Sequence, residues 1–221
     1  MVAPGSSAAH ALLGILRTEI FQGALVPGQR LVEAELARRH GASRGTVREA
    51  ITLLGNEGLV TRERNRGAHV RPVPLTEAIE ITEVRAMLEG LCAAKAATAA
   101  TAPERRGLRL VARRLTEAAE GGDVVSYGRL SQEAHLRIRE IAGHGTVSAI
   151  LERLRYQSMR YQFQIALLPG RAVRGAGEQV RVIDAVCSRD TAGAERAMRE
   201  HLEAEAEVLR GLAEFESPLR R

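Results

Sequence analysis

Apolar residues recur at helical spacing along most of this chain and alternate only briefly, so the pattern predicts a mainly α protein with a small β element. A first helix reads from about residue 7 to 22, with Leu12, Leu13, Ile15, Leu16, Ile20 and Phe21 on one stripe and Gly23 placed to end it. Pro27-Gly28 marks a turn. A short helix follows over about Glu33–His40, with Leu36 and Ala37 inward, then a tight turn at Gly41-Ala42. Ser43 is a good N-cap for a third helix over about 44–57, whose inward positions are Val47, Ala50, Ile51 and Leu54, and which Gly58 closes. Residues 59–61 and 68–70 read as two strands joined by a hairpin tip, Arg64-Asn65-Arg66-Gly67. Two short helices, a turn and a two-stranded wing make a winged helix-turn-helix, expected over residues 7–71.

Residues 72–76, Pro-Val-Pro-Leu-Thr, read as a linker, because two prolines in three positions bar a continuous helix. Beyond it the pattern is helical throughout, with helices near 76–101, 103–121, 124–142, 146–168, 171–188 and 191–215. Thr76 and Asp190 are candidate N-caps, Pro103 sits where a helix start tolerates it, and Gly121-Gly122, Gly143 and Pro169-Gly170 separate the rest. The expectation is an all-α helical bundle of about six helices over residues 77–215.

Composition agrees with this reading. Of 221 residues 45% are hydrophobic, too many for a disordered chain, while aromatics are 3% and Trp is absent, so Ala, Leu, Val and Ile must fill the core. Cys92 and Cys187 form no CxxC pair and read as buried free thiols. No apolar run approaches the roughly 18 residues a membrane helix needs, and no secretory signal pattern is visible, so a cytoplasmic protein without a membrane partner is expected. The net charge of +5 is unevenly spread. Residues 1–72 hold 10 Arg against 6 acids, whereas residues 73–221 hold 22 basic residues against 21 acids. The excess lies where a polyanion would be met.

The third helix carries Ser43, Arg44, Thr46 and Arg48 in its first turn and a half, the end that a recognition helix pushes into the major groove. An arginine there can pair bidentately with guanine or clamp a phosphate, and the hydroxyls can bond phosphates or base edges. The wing adds Arg62, Arg64 and Arg66, with Gly67 allowing close approach of the backbone to DNA.

Residues 31–70, LVEAELARRHGASRGTVREAITLLGNEGLVTRERNRGAHV, resemble the DNA-binding domain of the GntR family of bacterial regulators. The helical remainder resembles the FadR-type ligand-binding (FCD) domain, in EVRAMLEGLCAAKAA (83–97), EAHLRIREIAG (133–143) and DTAGAERAMREHL (190–202). The resemblance implies DNA contacts at Ser43, Arg44, Thr46 and Arg48 and at Gly67 in the wing, with Arg66 beside that glycine. It implies a homodimer on palindromic double-stranded operator DNA, released or engaged by a small-molecule effector such as an organic acid. This chain departs from the usual pattern at Gly45-Thr46, where members commonly have Thr-Pro, and at Ala34, a basic contact in some members.

Many FCD domains hold a divalent metal through one Asp and three His. The matching places here read Ser131, His135, Gln179 and His201, so two of the four ligands are absent. The resemblance therefore implies no metal and no cofactor. An effector would instead meet His135, Gln179 and His201 together with Arg85, which matches a place from which members aim an arginine at an acidic ligand. Glu133 and Glu178 are close in sequence but are expected to point roughly 100° to 200° away from that face. Tyr127, Tyr156 and Tyr161 are expected in the core.

No Gly-rich phosphate loop, GxSxG elbow, HExxH or paired Cys ligands occur, which excludes the common enzyme classes. The alternative reading is an effector-independent architectural DNA-binding protein, which would leave the near-neutral helical domain without a purpose.

Overall fold

The computed structural model describes residues 4–21, 23–63 and 67–216; side chains at 4–6, 155, 156, 158–160, 163, 215 and 216 are outside the description. Arg64 and Arg66 of the expected wing tip, and the side chain of Tyr156, therefore lie outside the described residues. The chain divides into two compact units, Met1–Pro74 and Leu75–Arg221.

The first unit holds α1 (Pro4–Phe21), β1 (Arg30–Leu31), α2 (Glu33–His40), α3 (Arg44–Asn56), β2 (Val60–Glu63) and β3 (Gly67–Val70). Helix α1 starts earlier than the apolar pattern suggested, with Pro4 at its first position, where its missing N–H costs nothing. Its buried stripe is Ala9, Leu12, Leu13 and Leu16; Ile15, expected inward, is 49% exposed. Helix α2 stops because Gly41 takes a left-handed conformation, φ 61°, and returns its N–H to Ala37 O. Val47, Ala50, Ile51 and Leu54 of α3 are all buried, at the expected spacing. The sheet is antiparallel in the order β1-β3-β2, with Arg30 opposite His69 and Arg62 opposite Ala68. Strand β1 went unforeseen because two residues carry no period; it exists because Gly28 N donates to Val70 O and Val70 N to Gln29 O.

The second unit holds α4 (Leu75–Ala99), α5 (Ala102–Glu120), α6 (Val124–Ala142), α7 (Gly145–Ala166), α8 (Arg171–Ser188) and α9 (Thr191–Glu216). Helix α4 already begins at Leu75, directly after Pro74, so Thr76 lies inside it and is not its N-cap. It runs through the middle of the unit, packed on α6, α7, α8 and α9. Alanine makes that possible: Ala78, Ala86, Ala93, Ala96 and Ala97 are buried, and a Cβ on Gly90 would lie 2.9 Å from Arg199 Cγ of α9. Leu108, Leu115, Ile138, Ile183 and Leu202 from the surrounding helices close the core. Each such burial contributes about 1.5–3 kcal/mol.

Side-chain caps start three of these helices. Thr101 and Glu104 form a reciprocal capping box on α5, Asp123 accepts from Ser126 N on α6, and Asp190 accepts from Gly193 N on α9. Cys92 and Cys187 are buried and free. Among the described residues no helix is long and apolar enough to cross a membrane. Within this apolar frame α4 carries two charged residues one turn apart, Arg85 and Glu89, both buried.

Candidate functional site

The exposed face of the first unit is organised around the N-terminus of α3. Ser43 Oγ accepts from Thr46 N at 3.1 Å and shares a hydrogen bond with Thr46 Oγ1 at 2.9 Å, so both hydroxyls hold the helix start in place. Arg44 is exposed. Arg48 is also exposed, and its guanidinium lies in a fork on Glu33 of α2, with Nε at 3.0 and 3.2 Å and Nη2 at 2.8 Å from the carboxylate. That bond, then the nearby charges of Arg48, Arg62 and Arg44, hold the Glu33 carboxyl below its ordinary range. Arg62 of β2 donates to Thr52 Oγ1 of α3 at 3.0 Å, tying wing to helix. Gly67 opens β3 at φ 83°, a conformation that disfavours any side chain. A groove of about 370 Å³ runs between these parts, lined by Arg30, Glu33, Arg62 and Gly67 among others.

The second unit contains a buried polar cluster where α4, α6, α8 and α9 meet. Arg85 donates to Glu89 at 2.8 Å and lies 3.9 Å from Glu205, and Gln162 Oε1, turned to face it, accepts from both its terminal nitrogens. The second oxygen of Glu89 bonds His135 Nδ1 across to α6. His135 stacks on His201, ring centroids 5.5 Å apart. His201 is fully buried; its Nδ1 meets Glu178 at 2.8 Å and its Nε2 faces Gln179 Nε2 at 3.2 Å. Gln179 Nε2 donates its other hydrogen to Ser131 Oγ at 2.6 Å. Arg171 Nη2 donates to Glu178 at 3.0 Å. Burial alone would raise the carboxyls of Glu89 and Glu178, but the opposing groups win: Arg85 and then His135 pull Glu89 far down, and His201 and then Arg171 pull Glu178 down.

Residues 9–70 match the gntR family of bacterial regulatory proteins, and residues 80–204 match the FCD domain. The chain belongs to the GntR family, FadR subfamily. As a GntR regulator it is a DNA-binding transcription factor and not an enzyme. The HTH-type transcriptional repressor RspR of Escherichia coli is 26% identical over 210 residues, covering 92% of this chain and 89% of RspR. The Nta operon transcriptional regulator of Aminobacter aminovorans is 34% identical over 137 residues, 59% of this chain and 63% of that protein. The match to BphR of Paraburkholderia xenovorans, 40% identical over 74 residues, spans only 30% of that relative's length. In fold, this GntR regulator is similar to McbR/YncC of Escherichia coli, with a TM-score of 0.81 at 21% identity, covering 96% of this chain and all of that one.

Of the residues singled out in the regulator's sequence, Ser131, His135, Gln179 and His201 come together, and Arg85 lies in the same cluster, bonded to Glu89 and Gln162 and 3.9 Å from Glu205. The quartet does not fit a divalent ion. The Gln179 amide turns N–H, not oxygen, toward Ser131 and His201, and among the described residues no three His, Cys, Asp or Glu side chains are arranged to hold a metal. Glu178, expected to point away, bonds His201 after all, because α9 presents the Nδ1 edge of the ring to its side of α8. Glu89, Glu205 and Arg171 were not foreseen; the i,i+4 pair Arg85–Glu89 on an alanine-rich helix was the one available signal.

The cluster has a pH consequence. Carboxyls held low in the folded state stabilise it fully above their unfolded pKa of about 4.3, and that stability is lost as pH falls toward the folded values. Melting temperature is therefore expected to fall steeply below about pH 4.3. Glu89→Gln should cost on the order of 3 kcal/mol at pH 7 and flatten the acid limb. An acid limb as steep in the variant as in the parent would remove Glu89 from this account.

Proposed function

We propose that the protein is an effector-responsive repressor, cytoplasmic, that grips a palindromic operator as a homodimer. The observation that carries the DNA half is the exposed start of α3, where Arg44 and Arg48 flank a capped helix terminus beside a groove edged by Arg62 and Gly67. A helix N-terminus adds partial positive charge toward phosphates. Ser43 and Thr46 hold that terminus and reach the backbone of DNA with their remaining capacity; Arg64 and Arg66, which precede Gly67 in the sequence, add further DNA contacts. RspR is named a transcriptional repressor, which supports repression here. The effector meets the buried cluster, including Arg85, His135, Gln179 and His201, and no metal takes part.

Dimerisation is supported by an apolar stripe on α4. Val84, Met87 and Leu91, at i, i+3 and i+7, are 48%, 55% and 38% exposed on a helix that is otherwise largely buried. An uncovered apolar stripe of this kind fits an isologous contact with a second copy.

Arg44→Ala and Arg48→Ala are each expected to weaken operator binding by about 1–3 kcal/mol in electrophoretic mobility shift or fluorescence anisotropy, with unchanged melting temperature. Wild-type affinity in both variants would refute this docking. Met87→Glu is expected to convert the full-length protein from dimer to monomer in sedimentation equilibrium at micromolar concentration; an intact dimer would move the interface elsewhere.

A further inference from the structure

The buried cluster leaves hydrogen-bonding capacity of both signs unused. Arg171 is 6% exposed, and only its Nη2 is engaged, by Glu178; Nε and Nη1 are buried without a partner among the described residues. Gln179 Oε1 is likewise buried with no donor among them. Among the described residues Glu205 meets basic groups only at ion-pair range, Arg85 Nη1 at 3.9 Å and His201 Nε2 at 3.6 Å. Native proteins rarely leave such atoms unmatched, because each costs its desolvation without return.

Tyr127 stands beside the open donors. Its hydroxyl presses on α8 at Gly175, in the space a Cβ would take, and Arg171 Nη1 is 3.1 Å from the same point. Burial pushes the phenol up, and the charge of Glu205 adds to the rise against that of Arg171, so the hydroxyl stays a neutral donor.

The open atoms decide what kind of molecule fits. A simple carboxylate would satisfy Arg171 but bring no donor to Gln179 Oε1 and Glu205. A simple amine would satisfy Glu205 and Gln179 Oε1 and leave the Arg171 nitrogens empty. A zwitterion meets both needs.

We propose that the region between α6, α8 and α9 binds an amino acid, with its carboxylate on Arg171 Nη1 and Tyr127 Oη and its ammonium on Glu205 and Gln179 Oε1. This deepens the effector reading given above and rests on it. Gln179 then has two roles: its amide nitrogen clasps Ser131 and His201, and its oxygen receives the ligand.

The test is a thermal-shift screen of the full-length protein with the twenty common L-amino acids, each at about 5 mM, followed for each hit by the deamino acid and the decarboxylated amine of the same skeleton. At least one amino acid should raise the melting temperature in a dose-dependent way, and both truncated analogues should shift it far less. Tyr127→Phe and Glu205→Gln should each weaken the hit at least tenfold in titration calorimetry. Arg171→Met strands Glu178 and risks misfolding, so the two milder variants decide the outcome. No shift with any of the twenty, or an equal shift by the deamino acid, overturns the proposal, as does undiminished binding in both variants. The two readings fail separately. A non-amino-acid that releases operator DNA while all twenty are silent keeps the effector reading and sinks the zwitterion. An amino acid that binds through these residues without changing operator affinity does the reverse.

Discussion

A carboxylate cannot stay ionised inside an alanine-rich helical bundle unless a counter-charge is built beside it, and here that requirement joins four helices. Removing an ion from water costs several kcal/mol even after relaxation, so each buried acid needs its partner at hydrogen-bond range. Glu89 takes Arg85 from its own helix and His135 from α6. Glu178 takes Arg171 from its own helix and His201 from α9. The two imidazoles stack, which joins the two pairs into one assembly. Ion pairs of this kind add little net stability but penalise any slip that separates them, so they fix how α4, α6, α8 and α9 sit against one another. The surrounding apolar side chains alone would tolerate more than one such arrangement.

The same assembly holds Ser131, His135, Gln179 and His201 together through hydrogen bonds and ring stacking. Carboxylates orient both rings through Nδ1, and the Gln179 amide bridges the remaining nitrogen of His201 to Ser131. A neutral donor group thus sits among side chains that a cation would otherwise have to gather.

Local features of the fold were legible in the sequence, and features made by distant contacts were not. Ser43, Gly41 and the apolar positions of α3 act within one or two turns, so their spacing alone revealed the helix-turn-helix. The six helices of the second unit follow from period and from the glycines and caps between them. Ile15 and Thr76 went astray because an apolar residue or a capping residue type does not by itself say which side faces the core or where a proline lets the helix begin. Among the chain's 27 acids nothing local marks Glu89 and Glu178 as buried or half-buried Glu205 as their neighbour; their environment comes from helices dozens of residues away. Glu178 is the instructive case. Helical geometry was expected to turn it away from the face of Gln179 and His201, but an imidazole has two working edges, and the second one faces Glu178.

The Glu33–Arg48 fork has a consequence for the ionic strength of the reaction. Arginines that reach phosphates from bulk solvent displace condensed cations from the duplex, and affinity then falls with added salt in proportion to the number of such contacts. Arg48 arrives already neutralised by a carboxylate of its own chain. For it to reach the duplex, an internal counter-ion must be exchanged for a phosphate, while Glu33 remains close by as a repelling neighbour. Counting arginines on this surface would therefore overstate how many cations leave the DNA, and the protein would hold its operator over a wider range of salt than its basic face suggests.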